Sequence, residues 1–182
     1  MRLTGNMLAT GVALVLGFAI GPPRVTVAAQ GDEGFVQEAA SAGQMEVELG
    51  RHASRHAADP QVVRFGQRMV NDHSKANAEL SRIADRESIP LSKELSSKDD
   101  AMVKRLTSLK GRDFDREYMK AMVEDHEEDV AKFREVARSA ETPRVKQFAQ
   151  KTLPTLQEHL KMAKEINARM EKHASAADIP RK

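Results

Sequence analysis

The chain has 182 residues, with 29 Lys and Arg against 27 Asp and Glu, no cysteine, no tryptophan and 4% aromatic residues. Arg2 and Arg24 lie in an N-terminal stretch without acids, so the remainder is formally neutral and its charges are interspersed; this excludes a basic face for nucleic acid and, with so few aromatics, a base-stacking surface. The lack of cysteine excludes disulfides, thiolate-bound zinc, iron–sulfur clusters and a lipid attached at cysteine, so a core built from about 150 residues must stabilise the fold.

Residues 1–29 read as a secretory signal. Met7 to Ile20 is an almost unbroken apolar run, short for a membrane span, broken by Gly21, Pro22 and Pro23. Val27 and Ala29 suit a cleavage site before Gln30. The expectation is an exported, periplasmic or envelope-associated protein with no stable membrane insertion after cleavage. If the run is kept, it acts as an anchor.

Residues 30–173 read as a single all-α domain and 174–182 as a loose tail. Asp32 is placed to cap a first helix from Glu33 to Ala57. Asp59 caps a second that opens on Pro60 and runs to Glu87, with Pro90 beyond it. Ser97 caps a short helix that ends before Gly111. A third long helix spans Asp113 to Ser139. Thr142 and Pro143 open a fourth, to Lys172, with a kink expected at Pro154. The first and last turns are short, so each helix pair forms an antiparallel hairpin. The connection between hairpins, roughly 25 residues, is long enough to run a helix length and let the second and third long helices lie parallel, as in ferritin-like four-helix bundles; a simple up-down bundle is the alternative. "DPQVVRFGQRM" from Asp59 and "TPRVKQFAQKT" from Thr142 also suggest a duplicated hairpin.

Three inward stripes carry a histidine at mid-helix. They are Val62, Gly66, Met69, His73, Leu80; Met119, Met122, His126, Val130, Phe133; and Val145, Ala149, Leu156, His159, Ala163. The first helix contributes Glu46 on the stripe of Phe35, Leu49 and Ala53. At about 1.5 Å per residue, the four polar residues lie at nearly one level. Buried imidazoles and a carboxylate need partners. One transition-metal ion bound by Glu46, His73, His126 and His159 would supply them, and such a donor set suits Zn, Fe, Mn or Cu. Asp72, Asp125 and Glu158 each precede a histidine and can hold the ring of one on a neighbouring helix. Met69 and Met122 share a face with His73 and His126. They can offer thioethers to copper(I), or simply fill the core. Alternatives are a non-catalytic envelope protein with a metal-free polar layer and a small-molecule sensor.

No organic cofactor is implied. The balance is against an enzyme, with redox or hydrolytic chemistry open only to a metal that keeps a free position. The Glu-x-x-His pattern of carboxylate di-iron bundles is absent, with Val70, Val123 and Leu156 where it needs Glu. Protein partners and oligomeric state are not legible.

The segments "FVQEAASAGQMEVELG", "MVNDHSKANAEL", "FDREYMKAMVEDHEEDVAKF" and "FAQKTLPTLQEHL" resemble the bacterial family called domain of unknown function 4142. The resemblance covers about Phe35 to Ala168. It implies an exported, ferritin-like bundle of a kind often labelled a membrane or outer-membrane protein, with no defined activity. The family's acid–His motifs fall on Asp72–His73, Asp125–His126 and Glu158–His159.

Overall fold

The computed structural model describes residues 27–177, with side chains described for 31–173. Residues 1–26 of the expected signal and 178–182 of the expected tail lie outside that range. All described secondary structure is helical: α1 (Val27–His56), α2 (Pro60–Glu87), α3 (Ser97–Thr107), α4 (Gly111–Ser139) and α5 (Pro143–Ala177). Among the described residues no helix is long and apolar enough to cross a membrane.

The breaks follow local chemistry. Asp59 is extended (φ −86°, ψ 124°) and its carboxylate accepts from Gln61 N at 2.7 Å, opening α2 on Pro60. Ser88 closes α2 in the left-handed region, its N–H bonding back to the last turn. Ser96, rather than Ser97, caps α3 by accepting from Asp99 N. Helix α4 begins at Gly111, two residues before the expected Asp113, and α5 continues through Pro154 to Ala177.

Asp32 is not the cap of its own helix, because α1 already runs from Val27. Its carboxylate instead accepts from Glu141 N (3.1 Å) and Thr142 N (2.7 Å), in the turn that starts α5. Asp115 on α4 does the same for the other turn, accepting from Ala58 N and from Asp59 N at 2.7 Å. Each hairpin therefore satisfies the orphan amides of the other's turn. The register that pairs Asp59 with Thr142 also pairs Asp32 with Asp115, as a duplicated hairpin would.

These contacts set the directions. Asp115, near the start of α4, meets the start of α2, so α2 and α4 run parallel. Arg169 late in α5 binds Asp59 (2.7 Å), and Arg144 at its start binds Glu87 at the end of α2 (2.7 Å), so α2 and α5 are antiparallel. Helix α3 packs on α1 and α4. There Ser41 Oγ and Ser96 Oγ donate to the buried Asp99 carboxylate at 2.5 and 2.9 Å.

The core falls into two apolar clusters. One holds Leu49, Phe65, Met69, Phe114, Tyr118 and Met122. The other holds Phe35, Leu80, Val130, Phe133, Phe148 and Leu156. Along α2, α4 and α5 the histidines sit between the two.

Gly50 and Gly66 let α1 and α2 touch backbone to backbone. A Cβ on Gly66 would stand 2.8 Å from Ala53 Cβ and from Gly50 O, whereas one on Gly34 would meet nothing within 4 Å. Gly66→Ala is expected to lower stability by about 2 kcal/mol through forced helix separation. Gly34→Ala should raise it by about 0.5–1 kcal/mol through helix propensity. Urea midpoints at constant slope measure both, and a neutral Gly66→Ala would contradict the close approach.

Candidate metal centre

Four helices bring one polar side chain each to the layer between the apolar clusters: Glu46 (1% exposed), His73, His126 (0%) and His159. One ligand atom from each of His73, His126 and His159 lies within 4.8 Å of the other two. The ring centroids are 5.2–5.8 Å apart.

Each ring is held through one nitrogen, which assigns its tautomer. His73 Nδ1 is 2.7 Å from Glu46 Oε2 and donates to it when that carboxylate is ionised. His126 Nδ1 donates to the Met122 carbonyl at 3.0 Å. His159 Nε2 donates to Asp72 Oδ2 at 3.0 Å. The other nitrogens, His73 Nε2, His126 Nε2 and His159 Nδ1, are buried without a protein partner. A ring nitrogen that carries no proton and no hydrogen bond is the state a metal ligand requires, and a hydrogen bond at the other nitrogen is what orients such a ring.

The protonation states agree. Burial lowers His73 and His159 to about 4. It also lowers His126, helped by the other two rings. All three are neutral near pH 7. Asp72 shows the opposite balance. Burial pushes its carboxyl up, but the hydrogen bond from His159 and the hydrogen bond and charge of Arg68 outweigh this and hold it below its usual range.

Glu46 has a double position. Oε2 accepts from His73, while Oε1 is 3.3 Å from His126 Nε2 and has no hydrogen bond. With His126 Nδ1 carrying that ring's proton, Oε1 and Nε2 are two acceptors facing each other. A proton or a cation has to lie between them. Burial, then the charge of Asp99, pushes Glu46 well above the usual carboxylate range, against a hydrogen bond shared with the Asp125 carboxyl. Burial and Glu46 do the same to Asp125, whose Oδ2 is also unpartnered. Glu46, Asp125 and His126 form a second group with ligand atoms within 4.8 Å.

Among the remaining sequence candidates, Asp72 holds His159 from the neighbouring helix. Asp125 lies beside Glu46 rather than on a ring nitrogen. Glu158 is exposed and binds Arg68 at 2.6 Å, and Arg68 in turn binds Asp72 at 3.2 Å. It reaches the histidine only through that chain. Met69 and Met122 are buried in one apolar cluster, and Met122 serves the site through its carbonyl. Sequence reasoning missed Asp99 and Asp129. The repeat register pairs Asp129 with Glu46, a signal that was available. Partial burial, then the charges of Glu46 and Asp125, raises its carboxyl well above the usual range.

The same register explains an adjoining cavity of ≈ 30 Å³ lined by Glu46, His73, Asp129 and His159. The counterparts of His126 and His159 are Gly43 and Ala76, and both line it. The site thus occupies one of the two positions that the pseudo-symmetry relates, and at the other the small Gly43 and Ala76 leave room for a water or two.

The family model Domain of unknown function (DUF4142) matches residues 21–166. Among solved structures, a DUF305 protein from Streptomyces coelicolor is similar, with a TM-score of 0.65 and 17% identity, covering 77% of this chain and 93% of its own. A DUF305 fragment from Deinococcus radiodurans gives 0.67 and 15% identity, covering 81% and 99%. At such identities the likeness concerns the fold alone. No curated protein matches the chain.

Proposed function

The chain belongs to the DUF4142 family, and because a domain of unknown function brings no role with it, the site must supply one: we infer that the protein binds one transition-metal ion in the bundle core through His73, His126 and His159, with Glu46, whose Oε1 lies 3.3 Å from His126 Nε2, moving in as the oxygen donor. The observation that carries the reading is the set of three buried, neutral imidazoles. Each is oriented by a hydrogen bond at one nitrogen and lacks a partner at the other. Zinc, iron, manganese or copper fits three nitrogens and one oxygen. Ligand atoms around a tetrahedral ion stand about 3.4 Å apart, so binding draws the side chains inward by roughly an ångström. Asp72 and the Met122 carbonyl then keep their present roles, holding His159 and His126 in the correct tautomer.

The role is metal handling or protection of the cell envelope, with the signal-like leader supporting export. Such a site stores or transfers an ion without needing an open catalytic position.

Metal analysis of untagged protein, reconstituted and desalted, is expected to find about one ion per chain. Less than about a tenth of an equivalent overturns the reading. A metal-free polar layer makes the opposite prediction for His126→Leu. It leaves stability unchanged or improved, since an apolar group replaces an unsatisfied one. The metal reading expects His126→Leu to lose the ion and the stabilisation that comes with it.

A further inference from the structure

Glu46 Oε1, Asp125 Oδ2 and His126 Nε2 are buried with no ordinary donor to satisfy them: Oε1 stands 3.3 Å from Nε2, and the Glu46 and Asp125 carboxyls meet each other, so the three residues form a second ligand group that needs a proton or a cation. Asp125 is 9% exposed, Glu46 1% and His126 0%, so water does not satisfy them freely. The group lies on the α1–α4 side, under α3. Asp99 of α3 acts electrostatically on both Glu46 and Asp125, and Lys98, paired with Glu128 of α4 at 2.8 Å, acts on Asp125. The three imidazoles draw instead on α2, α4 and α5.

We propose that Glu46, Asp125 and His126 form a second, outer cation position that shares Glu46 and His126 with the three-imidazole position and selects a harder divalent ion. This rests on the metal-binding reading above for the inner position, but it has its own atoms.

Two features define the outer position. Its donors are two carboxylates and one imidazole, which suit manganese(II) or iron(II) better than the three nitrogens of the inner set do. His126 has only one bare nitrogen, because Nδ1 is tied to the Met122 carbonyl. One nitrogen cannot complete both positions at once. The two sets are therefore alternative seats for one ion, and His126 is the pivot between them. An ion arriving beneath α3 meets two carboxylates first and three imidazoles second.

The test uses manganese(II), followed by electron paramagnetic resonance, and cobalt(II), followed by its visible absorption, on untagged full-length protein. Wild type is expected to bind either ion, and cobalt(II) to expel manganese(II) one for one. Asp125→Asn, nearly isosteric, should weaken manganese(II) at least tenfold, change cobalt(II) affinity less than threefold, and slow cobalt(II) uptake in stopped flow. His159→Leu should do the converse, losing cobalt(II) at least a hundredfold and keeping manganese(II). An Asp125→Asn protein with unaltered manganese(II) binding overturns the outer position, as does a wild type that binds no manganese(II). Simultaneous binding of both ions overturns the shared pivot. Because the exclusion experiment needs no variant, a folding defect in either substitution does not rescue the proposal. Binding of both manganese(II) and cobalt(II) that depends on Asp125 and is untouched by His159→Leu would sink the inner reading and leave the outer position standing.

Discussion

Zinc(II) at about a thousand times its dissociation constant is expected to raise the thermal unfolding midpoint of the metal-free protein by roughly 8–16 °C. Ligand that binds only the folded state adds about 4 kcal/mol at that excess. A chain of this size gains about 2–4 °C per kcal/mol. The unfolded chain cannot reproduce the site, because the three histidines come from α2, α4 and α5 and converge only when both hairpins pack. His73→Leu, His126→Leu and His159→Leu should each abolish most of the shift. His52 and His56 serve as a control pair. They lie at the end of α1, away from the polar layer, and their substitution should leave the shift intact. Differential scanning with and without chelator measures it. A shift under about 2 °C in the wild type would mean that no ion is held tightly.

Glu46→Gln is expected to stabilise the metal-free protein at pH 7 by about 1–3 kcal/mol while sharply weakening metal binding. The amide is isosteric. Its oxygen still accepts from His73 Nδ1, and its N–H₂ can donate to His126 Nε2, which lacks a partner. Satisfying a buried acceptor and removing a carboxylate that burial disfavours act in the same direction. The pH dependence follows with two opposing signs. Glu46 and Asp125 have folded pKa values raised above their unfolded ones. Their contribution is present in acid and is lost as pH rises through the folded values. His73 and His159 have folded values lowered to about 4, against 6.5 for the ordinary ring. They hold fewer protons in the folded state, so stability is intact above about 6.5 and is lost as pH falls toward 4, on the order of 3 kcal/mol each. In the metal-free wild type the two effects oppose each other between pH 4 and 6.5. Combining Glu46→Gln with Asp125→Asn removes the carboxylate part and should expose the histidine part as a steep loss on acidification. Urea denaturation at half-unit pH steps would show it. A double variant as insensitive to acid as wild type would mean the rings are not held neutral by burial.

Much of the bundle was legible because helix-forming composition, caps and apolar periodicity are local. Pro60 and Pro143 each mark a helix start, and Asp59 caps the first of them where expected. The spacing of His73, His126, His159 and Glu46 within their apolar stripes likewise places them on inward faces, and rise per residue places them at one height. Asp32 was misread for an equally local reason. An acid before a helix pattern looks like that helix's cap, but this one caps a turn more than a hundred residues away.

Local chemistry therefore settles which residues face inward and how far along each helix they stand. Tertiary packing decided which nitrogen of each ring is occupied, because that depends on what lies across the helix interface. Glu46 faces His73, Asp72 faces His159, and only His126 is held within its own helix, by the Met122 carbonyl. It also decided that Asp125 turns toward Glu46 and that Glu158 turns out to Arg68, though both precede a histidine in the chain. Adjacent helical residues point about 100° apart, and only the neighbouring helices settle which of those directions is buried.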